Sequence, residues 1–320
     1  MTSSKIRIVF MGTPEFAVAS LSALVSGGYD VCAVVTAPDR PAGRGRKIKM
    51  SPVKEFALDK GITVLQPANL KDAAFIEKLR GLKATLFIVV AFRMLPQAVW
   101  NMPPLGTFNL HASLLPQYRG AAPINHTIIN GERTGGVTTF FLRHEIDTGN
   151  IIFREETAIA ADETAGQYHD RLMEIGARLL LKTVKAIAEG QVETRSQEEF
   201  LAEGEVLKTA PKIRKEDCRI NWHKDAEHVN NLIRGLSPYP GAFTELAFSG
   251  NKTLYLKIFE AKVKACSCSA TPGTVMTDHK NYLDVCCGHD CISIQELQQA
   301  GKKRMPVREF LLGLNFNALA

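Results

Sequence analysis

The chain has 320 residues, of which 45% are hydrophobic and 22% charged, values typical of a soluble globular protein of about two domains. No apolar run reaches the roughly 20 residues of a membrane span, so the sequence predicts no membrane partner. The first residues lack the long apolar core of a signal peptide. The seven cysteines are therefore best interpreted as reduced thiols of a cytoplasmic protein.

The net charge of +6 is concentrated towards the C-terminus. Residues 1–207 carry 23 Lys and Arg against 22 Asp and Glu, whereas residues 208–320 carry 16 against 11. A basic part beside a nearly neutral one suggests a polyanionic partner, because neutralised phosphates release counterions. The alternative is that this charge serves only solubility.

The first 36 residues predict a strand–helix–strand unit and hence a parallel sheet. We expect a strand over 6–11, a helix capped by Thr13 that runs to about Val25, and a buried strand over 29–36. The dinucleotide-binding pattern G-x-G-x-x-G is absent, since only Gly12 is present where three glycines are needed. A nicotinamide or flavin enzyme is therefore disfavoured.

Residues 37–49, which we call the flap, combine prolines and glycines with five cations in ten positions. This composition predicts irregular structure. It fits a solvated mobile loop as well as a basic segment that binds phosphates beside a site. The candidate phosphate-binding cations are Arg40, Arg44, Arg46 and Lys47.

The rest of the N-terminal part continues the alternation of strands and helices. Helices are expected over 52–59, 72–80 and 164–188, and strands over 62–65, 84–91, 136–142 and 150–155. These patterns predict an α/β fold with a Rossmann-like parallel sheet.

Residues 190–207 are polar and acidic, and we expect them to link a domain of residues 1–189 to one of residues 208–320. After a short helix over 226–235, the C-terminal part shows two-residue alternation in several short segments. This pattern predicts a small, basic, OB-like β-barrel.

Three polar residues follow or end predicted strands. Asn109 and His111 lie two apart at the end of a strand, so alternation sends both side chains to one face. Asp147 lies in a polar turn after the strand over 136–142. The ends of parallel strands are where such folds place chemistry, although each residue alone fits a structural role equally well.

A zinc site is disfavoured although Cys266, Cys268, Cys286, Cys287, Cys291 and His289 lie close in sequence. Their spacings are C-x-C and C-C-G-H-D-C rather than paired C-x-x-C. We expect these cysteines to pack in strands and predict no metal.

The motifs F-M-G-T-P-E-F, P-D-R-P-A-G-R-G-R-K, F-N-L-H-A-S-L-L-P-Q-Y-R-G-A-A-P-I and I-D-T-G resemble those of the folate-dependent formyltransferases. The segments K-I-R-K-E-D-C-R-I-N-W and I-R-G-L-S-P-Y-P-G-A extend the resemblance to almost the whole chain. The basic flap and the C-terminal part are similar to the branch of this family that acts on tRNA.

The resemblance implies transfer of a formyl group from 10-formyltetrahydrofolate, a co-substrate, to the α-amine of methionine on initiator tRNA. It assigns Asn109 as the donor to the developing oxyanion, His111 as general base and Asp147 as an orienting or relay group. It also implies folate contacts at Ser113, Leu114, Leu115 and Pro116, and tRNA contacts in the flap and the C-terminal barrel.

The resemblance has consequences for location and partners. Formylated initiation occurs in bacteria and organelles, and without a transit-like leader we expect the bacterial cytoplasm. We expect no stable protein partner. Arg93 lies where relatives carry a small glycine beside the pterin pocket, so it either reshapes that pocket or points to solvent.

Rival interpretations share parts of this pattern. A formyltransferase for an amino sugar nucleotide or a purine precursor would keep the three polar residues without needing the flap and the basic barrel. A hydrolase of the folate donor would use water in place of an amine. A non-catalytic tRNA-binding protein would explain only the basic C-terminal third.

Overall fold

The computed structural model describes residues 6–42, 47–247, 253–266 and 270–314. The chain forms two compact units, and neither is a single continuous stretch. Unit 1 comprises Met1–Gly120, Gly135–Thr157 and His169–Thr209. Unit 2 comprises Ala121–Thr134, Ala158–Tyr168 and Ala210–Ala320.

The elements of the first half alternate between strands and helices, as the patterns predict. In chain order they are β1 (Arg7–Gly12), α1 (Glu15–Ser26), β2 (Asp30–Val35), β3 (Arg40–Ala42), β4 (Lys47–Lys49), α2 (Pro52–Asp59), β5 (Thr63–Leu65), α3 (Ala73–Gly81), β6 (Leu86–Val90), α4 (Gln97–Trp100), β7 (Thr107–His111), β8 (Arg119–Gly120), α5 (Pro123–Ile129), β9 (Thr134–Phe141) and β10 (Ile151–Ala158).

The second half contains a long helix, two 3-10 helices and most of the antiparallel strands. In chain order its elements are α6 (Ala165–Glu189), a 3-10 helix (Gln197–Phe200), β11 (Thr209–Ala210), a 3-10 helix (Glu216–Cys218), α7 (Ala226–Gly235), β12 (Ala242–Ala247), β13 (Thr253–Lys264), β14 (Val275–Thr277), β15 (Leu283–Cys286), β16 (Cys291–Gln299), β17 (Arg304–Pro306) and α8 (Val307–Leu312).

Unit 1 contains a seven-stranded sheet in the order β10-β9-β7-β6-β1-β2-β5. Strand β1 pairs in parallel with β2 and β6, β6 pairs in parallel with β7, and β9 is antiparallel to β7. All five residues of β6 are buried, as expected of a central parallel strand covered on both faces. The parallel core confirms the predicted Rossmann-like fold.

The order of strands reverses at β1, because the chain first adds β2 and β5 on one side and then β6 and β7 on the other. Ligands bind open α/β sheets in the crevice at such a switch point, beyond the carboxyl ends of the strands. We therefore expect a ligand to bind beside the segments that follow β1 and β6.

Unit 2 contains an antiparallel sheet in the order β12-β13-β16-β15-β14, with β17 paired to β16. Leu256, Ile258, Ile292 and Leu297 form part of its fully buried core. This curled half-barrel confirms the predicted small β domain. Helix α5 also belongs to this unit, and Asn125 Nδ2 donates to the Gly235 carbonyl oxygen of α7 over 2.7 Å.

Two expectations about local structure were wrong. The N-cap of α1 is Pro14, without a side-chain hydrogen bond, so Thr13 does not cap the helix. The flap is not wholly irregular, since β3 and β4 pair antiparallel and bring Arg40 opposite Lys49. Proline is tolerated in this short pair because an edge strand leaves one side without ladder partners.

Within the described residues, no helix is long and apolar enough to cross a membrane. Among the described residues, Cys32, Cys218, Cys287 and Cys291 are free thiols. Cys286 is disulfide-bonded, so the expectation that every thiol is reduced was wrong at this position.

Candidate active site

Asn109 and His111 lie on one face of β7, as the strand alternation predicts. In register with β9, Asn109 is opposite Phe140 and His111 is opposite Thr138. The buried Oδ1 of Asn109 has no hydrogen-bond partner among the described residues. Buried polar atoms are normally satisfied, so this amide has one end free for a ligand.

His111 is almost fully buried, and the backbone fixes its tautomer. Its Nε2 lies 3.0 Å from the Tyr118 carbonyl oxygen. A carbonyl only accepts hydrogen bonds, so the neutral ring carries its proton on Nε2. Nδ1 is then the unprotonated nitrogen and faces Asp147 Oδ2 at 3.9 Å.

Asp147 completes the group of three, in a turn held by the backbone. Its φ of +55° is in the left-handed region, which a non-glycine residue adopts rarely and often at functional sites. The Gly120 N–H donates to Asp147 Oδ2 over 3.1 Å. The distance of 3.9 Å to His111 is too long for a hydrogen bond but places the carboxylate beside the ring.

The segment Ser113 to Pro116 is a packed turn between β7 and β8. Thr138 Oγ1 donates to the Ser113 carbonyl and accepts from the Leu115 N–H, over 2.7 and 3.1 Å. The side chains of Ser113, Leu115 and Pro116 are buried, and only Leu114 is partly exposed. Any ligand contact by this segment would therefore use Leu114 or the backbone.

A cleft of about 550 Å³ lies at the switch point of the sheet, within the size range of small-ligand pockets. Its lining includes Ala91, which follows Val89, the register partner of Asn109, by two residues. Its lining does not include Asn109, His111 or Asp147. The lining residues with polar or aromatic side chains are Thr13, Arg40, Lys49, Ser51, Phe92 and Arg93.

Arg40, Lys49 and Arg93 give this cleft a positive charge suited to an anionic ligand. Arg93 does not simply point to solvent, because its guanidinium donates to the carbonyl oxygens of Pro67 and Ala68. Burial chiefly, and then the charge of Arg40, lower the pKa of Arg93. The side chain thus forms part of the wall of the cleft.

The other predicted cations of the flap are described only in part. Arg40 is exposed at the edge of the cleft. The backbone of Lys47 begins β4, whereas Arg44 and Arg46 lie outside the described residues.

Sequence reasoning missed the residues that hold Asp147 in place. Gln197 lies in the acidic segment that was expected to be a linker, yet it is buried and donates to the carbonyls of Asp147 and Gly149, each over 2.8 Å. The signal that was present is the capping box of Ser196 and Glu199, which marks the start of a helical turn.

Outside this group, the described part of the chain contains no cluster of three or more His, Cys, Asp or Glu residues arranged to hold a metal ion. Cys268 lies outside that part. The free Oδ1 of Asn109 and the unprotonated Nδ1 of His111 are both acceptors, and both are suited to the N–H groups of an amine.

An amide and an imidazole on β7, with a carboxylate in a nearby turn, are groups suited to the transfer of a small acyl group to a nucleophile. The formyl transferase family matches residues 5–184, and its C-terminal domain matches residues 212–315. The chain therefore belongs to the formyl transferase family.

Relatives with assigned names are similar over nearly their full length. The methionyl-tRNA formyltransferase of Bacteroides fragilis is 52% identical over 315 residues, covering 98% of this chain and 97% of the relative. That of Flavobacterium johnsoniae is 52% identical over 313 residues, covering 98% of each. An N-formyltransferase from Helicobacter canadensis, solved with folinic acid and dTDP-3-aminofucose, shares the fold with a TM-score of 0.66 at 21% identity, over 92% of this chain and 99% of that one.

Proposed function

We propose that this enzyme transfers the formyl group of 10-formyltetrahydrofolate to the α-amine of methionine carried by initiator tRNA. The observation that carries the proposal is the sequence identity. About half of all positions are identical to those of methionyl-tRNA formyltransferases, across both the N-terminal and the C-terminal domain. Asn109 and the buried His111 on one face of β7, with Asp147 Oδ2 3.9 Å from His111 Nδ1, support it, because these side chains supply the chemistry that amine formylation needs.

His111 accepts the proton that the attacking amine loses. The Tyr118 carbonyl holds the ring with Nε2 protonated, so the lone pair of Nδ1 is the base. A free α-amine has a pKa of about 7.7–8.0, so a base near neutrality needs to give only modest help. The new C–N bond forms at the amine, the bond to the donor nitrogen breaks, and the proton passes through Nδ1 to that leaving nitrogen.

Asp147 stabilises the ring once Nδ1 carries the proton. In the neutral ring, Nδ1 has no N–H to donate, so orientation comes from Tyr118 rather than from the carboxylate. When Nδ1 is protonated, the carboxylate at 3.9 Å faces a positive charge. In this proposal Asp147 therefore stabilises the charged ring, directly or through a water.

Asn109 stabilises the negative charge that develops on the formyl oxygen. In this proposal Nδ2 of its amide donates to that oxygen, on the face of β7 that also presents His111, and the free buried Oδ1 accepts from the attacking amine. A side-chain donor of this kind contributes roughly 3 kcal/mol to transition-state stabilisation. The donor supplies the formyl carbon and is held, in this proposal, by the Ser113 to Pro116 turn through Leu114 and the backbone.

The tRNA substrate is proposed to contact two basic regions. Arg40, Arg44, Arg46 and Lys47 of the flap contact the acceptor end, and the cleft with Lys49 and Arg93 supports this because it is positively charged. The C-terminal domain, residues 208–320, contacts the tRNA further along its length. Residues 1–189 form the catalytic domain, and residues 190–207 connect the two parts.

The enzyme is proposed to act in the bacterial cytoplasm without a stable protein partner. The named relatives from Bacteroides fragilis and Flavobacterium johnsoniae are bacterial, which supports this location.

The decisive experiment measures formyl transfer from labelled 10-formyltetrahydrofolate to initiator Met-tRNA, elongator Met-tRNA and free methionine. We expect transfer to the initiator tRNA alone. If the donor is consumed when small amines are supplied but no RNA is formylated, formyl transfer to an amine would stand and the tRNA substrate would be refuted. Donor hydrolysis without an amine product would instead identify a deformylase.

A further inference from the structure

Gln197 is a buried amide in an otherwise acidic and exposed segment. Its side chain is 2% exposed, whereas its neighbours Glu198 and Glu199 are exposed. The capping box of Ser196 and Glu199 starts the 3-10 helix Gln197–Phe200 at this point. A polar side chain buried in this way loses its water and must find partners inside the protein.

The partners of Gln197 lie on both segments that place Asp147. Nε2 donates to the carbonyl oxygens of Asp147 and Gly149, each over 2.8 Å. Oε1 accepts from Nε and from a terminal nitrogen of Arg119, over 3.0 and 2.7 Å. The amide therefore uses both of its donors and its acceptor within the site.

These hydrogen bonds join the two segments that contact the Asp147 carboxylate or carry it. Arg119 is followed by Gly120, whose N–H donates to Asp147 Oδ2 over 3.1 Å. Tyr118, which precedes Arg119, holds His111 Nε2 through its carbonyl. Gln197 thus ties the turn of Asp147 to the segment that positions both His111 and the Asp147 carboxylate.

The turn of Asp147 needs such support because its backbone is unfavourable. A φ of +55° at a non-glycine residue persists only where the surroundings impose it. The two hydrogen bonds from Gln197 Nε2 hold the backbone of the turn at Asp147 and Gly149, on either side of Thr148.

We propose that Gln197 is a positioning residue for formyl transfer, which acts by holding Asp147 at its distance from His111. This inference rests on the proposed function. It predicts that Gln197 contributes to the rate only while Asp147 is present, because its side-chain hydrogen bonds go to Arg119, Asp147 and Gly149.

The test is a double-mutant cycle of Gln197→Ala and Asp147→Ala, with kcat and both KM values measured for formyl transfer to initiator Met-tRNA. Alone, Gln197→Ala is expected to lower kcat roughly 10- to 100-fold, as misplacement of a catalytic group does. The KM values should stay within about threefold, and the double variant should match Asp147→Ala within about twofold.

Gln197→Glu keeps the size of the side chain and the acceptor for Arg119 but loses the two N–H donors. It is expected to lose rate like the alanine variant, and it replaces that variant in the cycle if alanine prevents folding. Thr183→Val is the matched control, because Thr183 is a fully buried hydrogen-bonding residue of unit 1 that bonds Thr139 and Leu179. Any loss of kcat that Thr183→Val causes should multiply with the loss from Asp147→Ala when the two substitutions are combined.

The positioning role would be overturned if the kcat losses of Gln197→Ala and Asp147→Ala multiply in the double variant. It would also be overturned if the Gln197→Glu enzyme has the wild-type kcat. Both results leave formyl transfer by the wild-type enzyme intact, so they differ from failure of the proposed function. That failure is a wild-type enzyme without transfer activity.

Discussion

The two ring nitrogens of His111 have different surroundings, and this difference decides what the residue does. One nitrogen is committed to a backbone carbonyl, and the other faces a carboxylate across 3.9 Å. The Tyr118 carbonyl thus holds the ring, and the nitrogen next to the carboxylate keeps the lone pair that the proposed base requires.

Replacement of His111 by alanine should abolish most of the turnover without preventing tRNA binding. Loss of a general base lowers kcat about 10²- to 10⁴-fold, and the side chain is too buried to contribute a tRNA contact. Single-turnover transfer and a filter-binding assay with Met-tRNA measure the two properties. A variant with wild-type turnover would show that His111 is not the base.

The thiol of Cys287 should react only when the protein unfolds. Burial raises its pKa to about 12 from an ordinary value of 9.0, so the folded thiol stays protonated and unreactive near neutral pH. The unfolded thiol ionises as the pH passes 9, whereas the native one does not. Pulsed alkylation with mass spectrometry, from pH 7 to 10 with and without urea, measures this; equal labelling rates would contradict the prediction.

At the scale of single elements, the turn that carries Asp147 is closed by close backbone packing. A Cβ atom at Gly149 would lie 1.6 Å from the Phe141 carbonyl oxygen. Backbone has little freedom to move away, so any larger residue must displace the turn or β9.

Gly149→Ala should therefore lower both stability and kcat. Overpacking of this kind costs roughly 1–3 kcal/mol of unfolding free energy, and displacement of Asp147 reduces the rate as well. Urea unfolding and transfer kinetics are the measurements. Gly81→Ala is the control, since a Cβ there meets nothing within 4 Å; similar losses in both variants would refute the packing argument.

The flap should affect the tRNA substrate and not the folate donor. Arg44→Ala removes one cation of the flap, and it is expected to raise the KM for Met-tRNA more than the KM for the donor. Steady-state kinetics with each substrate varied in turn test this. A defect confined to the donor would refute the proposed role of the flap.

Local patterns predicted the elements that depend on local causes. The apolar run of β6 and the periodicity of α6 are both properties of neighbouring residues, and both elements are found close to their expected bounds. The alternation of Asn109 and His111 likewise followed from one strand.

What the sequence did not reveal depends on contacts across long separations. Gln197 bonds to residues 48 to 78 positions away, and nothing in its acidic neighbourhood indicates burial. The place of Asp147 beside His111 rested on the family resemblance, because it is created by a turn in the left-handed region. Pairing at the ends of the flap was hidden by its prolines and glycines.

At the scale of the whole molecule, the surplus of positive charge in residues 208–320 should appear as salt-dependent affinity. Lys212, Arg214 and Lys215 form an exposed basic run. Their replacement by glutamine should weaken Met-tRNA binding and reduce the slope of log K against log salt by up to roughly 0.7–0.9 per lost phosphate contact.

A charge-matched variant separates local contacts from net charge. Lys71, Lys78 and Lys185 are exposed residues of unit 1, and their replacement by glutamine removes the same charge. We expect a smaller change in both affinity and salt slope. Equal changes in the two variants would show that total charge, and not the C-terminal run, attracts the tRNA.

The interleaving of the two compact units limits how this enzyme can be rebuilt by gene exchange. Unit 2 takes two stretches, Ala121–Thr134 and Ala158–Tyr168, from within the N-terminal part of the gene. A recombination event near codon 208 would import a foreign sheet but keep the resident α5, whose Asn125 and Ile129 fit against Gly235. We therefore expect a chimaera to fold well only when all three gene segments of unit 2 come from the same parent.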